Sequence, residues 1–156
     1  MAPLSALDVA RWFLMRNNVN VKQYDEEMLT HLKIQKLLYY AQGVFLAYTG
    51  SKLFDEDIYA WDHGPVVRQV YDAYKVFGPD PIKCEPTGDD STIFEKVAQD
   101  PRIGEVLETV HNFYGKYSAW RLREMTHDEK PWRQTPRNEI ISEELIKDYF
   151  SKEVLE

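Results

Sequence analysis

Trp61-Asp62-His63-Gly64-Pro65-Val66-Val67 stands between two kinds of sequence. Before it, Ile58-Tyr59-Ala60-Trp61 follows the acidic Asp55-Glu56-Asp57 and is short, aromatic and β-prone, so it suits a strand better than a helical turn. After it, Arg68-Gln69-Val70-Tyr71 opens a helical pattern that Gly78 stops. Proline's locked φ fits a first helical turn, where its missing N–H costs nothing, so Gly64-Pro65 predicts an abrupt start to a helix over residues 65–77.

Upstream of that turn, Thr30 can cap a helix in which Ile34, Leu37, Leu38, Ala41, Phe45 and Tyr48 form one apolar face. Tyr39, Val44, Leu46 and Ala47 fill the remaining angles, which marks a helix surrounded by others, and Gly50 is its natural stop. Gly43 in its interior gives up about 1 kcal/mol of propensity relative to alanine. A close crossing and simple tolerance at an exposed turn explain that glycine equally well. Ser5 with Asp8 approximates a capping box before Val9, Ala10, Phe13 and Leu14, so a first helix runs from Ala6 to Arg16 and Asn17-Asn18-Val19-Asn20 breaks it.

Downstream, Pro79, Pro81, Pro86 and Gly88 keep residues 80–90 out of a helix, and Ile82-Lys83-Cys84 is available to pair with the earlier strand. Ser91 is expected to cap a helix through Ala98, Pro101 to restart one reaching Tyr114, and Ser118 to cap another toward Met125. Pro131 and Pro136 interrupt the chain before Ser142 introduces a terminal helix through about Phe150. There is no repeat, low-complexity tract or domain-sized linker. The expected fold is mainly α: a single compact multi-helix domain over residues 1–156, with room for a small two-stranded β ribbon.

The bulk properties agree. A chain of 156 residues suits one domain, and 44% hydrophobic with 13% aromatic residues argues against global disorder. The net charge of −7 supplies no general basic field for phosphates, so nucleic acid is a poor partner. Cys84 is the single cysteine, which rules out an intramolecular disulfide, and its neighbours Lys83 and Glu85 do not activate a thiol. With no signal peptide and no apolar run of bilayer length, no membrane association is expected, and the expected location is the cytoplasm.

Three segments in order carry a resemblance: Leu32-Lys33-Ile34-Gln35-Lys36-Leu37-Leu38-Tyr39-Tyr40-Ala41-Gln42-Gly43, then the Trp61–Val67 stretch, then Leu122-Arg123-Glu124-Met125-Thr126-His127-Asp128-Glu129-Lys130-Pro131-Trp132. Together they resemble the Panacea domain family, with its SocA-like and GepA-like phage-associated antitoxins, over residues 6–132, leaving 138–156 as a C-terminal helical tail. The resemblance implies a mainly helical protein that contacts a partner, a toxin encoded beside it, instead of turning over a substrate. It implies neutralisation of a cognate toxin by direct binding. The alternative it offers is an adaptor that delivers the toxin to a cellular protease. No family pattern extends to Gly88, Asp89 and Asp90.

Catalytic readings fare worse. His31, His63, His111 and His127 lack the spacing that sets two metal ligands on one helical face, so no metal and no cofactor is expected. Asp57 and Asp62 are explained as loop carboxylates, Ser118 and Ser142 as helix caps, and Gly64, Gly78 and Gly88 do not make a phosphate loop. A small hydrolase or nucleotide enzyme is the least favoured reading, and the protein is not expected to be an enzyme. Binding is expected around the turn, at Trp61, His63, Gly64, Pro65, Arg68 and Tyr71. Tyr71, Tyr74 and Phe77 form an aromatic edge read first as core, while Arg68 stands on its exposed side. Trp120, Arg121, Arg123, Lys130, Trp132, Arg133 and Arg137 make the most basic part of the chain, diluted by Glu124, Asp128 and Glu129. Trp120 and Trp132 are expected to pack against the helical body, with contact to an acidic protein patch or single-stranded nucleic acid as the other readings.

Overall fold

The computed structural model describes residues 2–24, 29–83, 85 and 87–155; Cys84 lies outside them. Helix α1 (Ala6–Tyr24) opens on the expected capping box: Asp8 N donates to Ser5 Oγ at 3.1 Å and Ser5 N to Asp8 Oδ2 at 3.3 Å. It continues past Arg16 through the asparagines to Tyr24, a correction to the shorter helix expected. Asparagine's helix propensity is poor but not prohibitive, and packing overrides it: Asn17 is itself buried.

Helix α2 (His31–Thr49) is the axis of the molecule, packed against the first helix and against most of the later elements, and is buried without interruption from Ile34 to Leu46. Thr30 caps it, Oγ1 accepting from Lys33 N at 3.3 Å, and Gly50 at φ 81° ends it. Gly43 resolves in favour of a close crossing: a Cβ there would lie 2.3 Å from the ring of Phe150. Two glutamines seven residues apart share a face and serve as backbone clamps. Gln42 accepts from Leu53 N at 2.8 Å and donates to Phe54 O at 2.7 Å; Gln35 accepts from Val67 N at 2.8 Å and donates to Val67 O at 3.3 Å.

The strands β1 (Tyr59–Trp61) and β2 (Gly64–Val66) form an antiparallel ribbon that pairs Trp61 with Gly64, Ala60 with Pro65 and Tyr59 with Val66. The strand before the turn thus pairs with β2, and Ile82 of the expected partner segment instead donates to Leu29 O at 2.8 Å, beside the start of α2. Pro65 is a strand residue and not the first turn of a helix. Ala60 directs its N–H to Glu139 O at 2.9 Å and its carbonyl to Asn138 N at 2.7 Å, so the opposing position asks for no N–H and proline is free to fill it. The Gln35 clamp holds Val67 extended, at φ −96° and ψ 112°, which delays helix α3 to Arg68–Tyr74, followed by a 3₁₀ turn over Lys75–Phe77.

Helices α4 (Asp90–Ala98), α5 (Pro101–Tyr114), α6 (Ala119–Asp128), α7 (Lys130–Arg133) and α8 (Glu143–Tyr149) complete the layers around α2. Ser91 falls inside α4 instead of capping it, because Asp90, held by Thr87 and Arg11, organises that start. Asp100, Ser118 and Ser142 cap α5, α6 and α8. Pro131 sits in the first turn of α7, where proline is tolerated, so it starts a helical turn as well as ending one. The last segment is integral to the core: Ile141 N bonds Ile58 O at 2.8 Å, Ile146 is buried, and Phe150 is fully buried at Gly43. No helix among the described residues is long and apolar enough to cross a membrane.

Candidate functional site

The ribbon turns tightly at Asp62-His63, and the left-handed backbone that closes the turn falls on Gly64, at φ 112°. Behind it, a Cβ at residue 64 would lie 2.7 Å from Lys36 Cε and 2.9 Å from Thr126 Oγ1, so only glycine lets the hairpin tip settle onto α2 and α6. In front is a cleft of about 700 Å³, walled by the starts of α2 and α6, the hairpin tip and the aromatic edge of α3.

Trp61, His63 and Tyr71 of the expected binding set line this cleft together, while Gly64 and Pro65 are buried and outside the lining. Arg68 is exposed and not in the lining; its guanidinium lies over the Tyr59 ring, 5.1 Å from the centroid. Tyr71 is half-buried and links Trp61 (ring centroids 5.1 Å apart) to His31 (5.7 Å), both in edge contact. The core reading of this aromatic edge holds for Tyr74 and Phe77, which pack against the core, and not for Tyr71, which lines the cleft.

Trp120 corrects the expectation that it packs against the body: it is 62% exposed and forms a wall of the cleft. Arg123 lies over its ring, 4.7 Å from the centroid, and donates from Nε to His63 Nδ1 at 3.2 Å. Trp132 does pack. Its indole N–H donates to Trp61 O at 2.7 Å, His127 stacks on one face with centroids 3.8 Å apart, and the Arg137 guanidinium lies 3.6 Å from the ring centroid. The basic segment is thereby divided: Arg137 and His127 brace the hairpin, Arg123 reaches the cleft, and Arg121, Lys130 and Arg133 point to solvent, so no continuous basic stripe forms.

The residue that sequence reasoning missed is Lys36. It is fully buried beneath Gly64, and its amine has no hydrogen-bond partner. Burial, reinforced by the nearby Arg123 charge, brings the amine down to about 7. A signal was present: in a helix apolar on most sides, Lys36 had no polar face to occupy. His31 is lowered by burial and then by Lys36, against a backbone bond to Gly78. His127 is lowered by burial and by Arg123, with a bond to the Asp62 backbone opposing. One turn further along α2, the hydroxyls of Tyr39 and Tyr40 donate to Glu129 at 3.0 and 2.8 Å. Burial pushes Glu129 up to about 7 despite those two bonds. Among the described residues, no group of three or more histidine, cysteine, aspartate or glutamate side chains is placed to hold a metal.

Residues 34–133 match the family described as antitoxin SocA-like, Panacea domain, a range that contains the hairpin, α6 and the buried lysine. A curated relative, Antitoxin SocA of Caulobacter vibrioides (strain NA1000 / CB15N), is 33% identical over 109 residues. That alignment covers 67% of this chain and 58% of the relative's length. No solved structure matches. The family match spans most of the chain and includes the hairpin, α3, α6 and all of α2 except its first turn, and the protein belongs to the SocA-like antitoxin family with a Panacea domain.

Proposed function

We propose that this protein is an antitoxin that neutralises a cognate toxin by direct protein–protein binding, with the hairpin cleft as the docking face. The observation that carries the reading is the exposed Trp120, set beside Trp61, Tyr71, His63 and Arg123 around one concavity. Tryptophan, tyrosine and arginine dominate interface energetics when they line a pocket that a partner can desolvate. The family and the relative's name add the class of partner. Occlusion of the toxin's working surface is the simplest mechanism, since it asks only for complementary shape and charge and no turnover.

The test is a titration of purified protein against the toxin encoded in the adjacent reading frame, scored by toxin activity with no protease present. Inhibition complete at a fixed molar ratio supports occlusion. Inhibition that appears only when a cellular protease is added favours the delivery mechanism and overturns occlusion. No inhibition in either condition sinks the antitoxin reading. Alanine at Trp61, His63, Arg68, Tyr71 and Trp120, each with melting unchanged, maps the face.

A further inference from the structure

The cleft gathers positive potential from unrelated parts of an acidic chain. Helix α2 starts at His31 and α6 at Ala119, and both starts line the cleft. Neither has an acidic residue in its first turn, a lack shared with α3, α5 and α7, while α1, α4 and α8 carry Asp8, Asp90, and Glu143 with Glu144 there. A helix start presents roughly half a positive charge on its amides, which a first-turn acid would offset. Here two such starts open onto one space with only the neutral hydroxyl caps Thr30 and Ser118.

One side chain reinforces this: Arg123, itself outside the lining, donates from Nε to His63 and lies over the ring of Trp120, both of which line the cleft. Lys36 lies under Gly64, fully buried, with its amine unpartnered. His31, in the lining, has a buried Nδ1 without a partner, as have His127 at Nε2 and Arg137 at Nη1 behind the hairpin. All four of these orphaned atoms belong to basic side chains. Asp62, exposed on the turn, is the acidic residue of the lining.

We propose that the cleft receives a carboxylate from an acidic side chain of the toxin, held by Arg123 and His63 above Lys36 while an apolar neighbour of that residue lies against Trp61 and Trp120. The inference rests on the docking face proposed above and names its chemistry. Arg123 has committed Nε to His63, and its remaining edge can take the two oxygens of a carboxylate in one plane; a phosphate could use the same edge, so inorganic phosphate is an arm of the test. The chain as a whole, at net charge −7, does not favour acidic segments. Admission at one place only would fix the register of the complex as much as its affinity.

The test uses phenylacetate, an aromatic ring with one carboxylate, as the probe, and isotope-labelled protein observed by NMR. Phenylacetate should shift the indole signals of Trp61 and Trp120 and the ring signals of His63. Phenylacetamide and inorganic phosphate should leave them in place. Arg123→Gln, with unchanged melting, should weaken phenylacetate binding about ten-fold, the scale of losing one charge-assisted partner. Absence of any shift, equal shifts from phenylacetamide, or shifts from phosphate alone would overturn the carboxylate site. Arg123→Glu is then titrated against the toxin: neutralisation as strong as wild type also overturns the site and leaves the antitoxin reading standing. Failure of the wild-type protein to neutralise sinks that reading, while the phenylacetate result alone decides the site.

Discussion

The two ends of α2 treat buried polarity in opposite ways. Around Gln42 and Gly43, each polar group has a partner and space is filled: the Gln42 amide clamps Leu53 and Phe54, and Phe150 occupies the volume a Cβ would take. Two turns earlier, Lys36 is as deeply buried but its amine bonds nothing, and the nearest charge, Arg123, repels it. A buried unpaired amine is among the costlier features a core can hold. The contrast sets a filled, fully paired core at one end of the helix and the proposed docking face at the other.

The largest effect should come from breaking the filled end. Phe150→Ala is expected to cost about 3–5 kcal/mol in urea unfolding, the range for a buried aromatic. Gly43→Ala should cost about 1–3 kcal/mol through overpacking against the same ring. Because the two share one space, Gly43→Ala combined with Phe150→Leu should cost less than the sum of the singles. Strict additivity would mean that the ring and the glycine are not coupled.

Next is the unfilled end. Lys36 is brought down to about 7 in the fold from 10.5, so between those values the unfolded chain holds a proton that the folded one has released. Stability should therefore rise with pH across that window, by on the order of a few kcal/mol, with the full penalty remaining below about 7. Lys36→Met should abolish the rise, melt higher at neutral pH and yet weaken toxin binding. Glu129 runs the other way: raised from 4.5 to about 7, it makes the wild type lose stability as pH climbs through that interval, a decline that Glu129→Gln should remove. A Lys36→Met protein that is less stable at every pH would erase the contrast between the two ends.

Gln42→Ala should cost about 1–3 kcal/mol by thermal melting, since it strands the backbone groups of Leu53 and Phe54. The smallest stability effect is expected at the cleft rim. Trp120→Ala should change unfolding by no more than about 0.5 kcal/mol while weakening toxin binding by about 2 kcal/mol or more in calorimetry. Loss of stability without loss of binding would return Trp120 to a structural role.

Much of the architecture was legible because its signals are local. The Ser5, Thr30 and Ser118 caps, the Gly50 stop and the unbroken apolar run of α2 all act within a turn or two of where they are read. Pro65 shows where that reading ends. Its φ is equally acceptable in a helix start or an edge strand, and the choice was made by Gln35, thirty-two residues away in numbering at Val67, clamping the backbone extended. The site divides in the same way. Trp61, His63 and Tyr71 could be named from the turn, but not Trp120 and Arg123, whose approach depends on how α6 crosses α2.

By itself, then, the sequence determined a mainly helical domain, its central helix and a family carried in three ordered segments, because propensity, capping and periodicity are short-range properties. The tertiary structure alone decided that Lys36 is entombed and unpaired, that the chain's end closes the core at Gly43, and that two uncompensated helix starts meet in one cleft. Burial and electrostatic potential are sums over neighbours distant in the chain, and no window of sequence contains those sums.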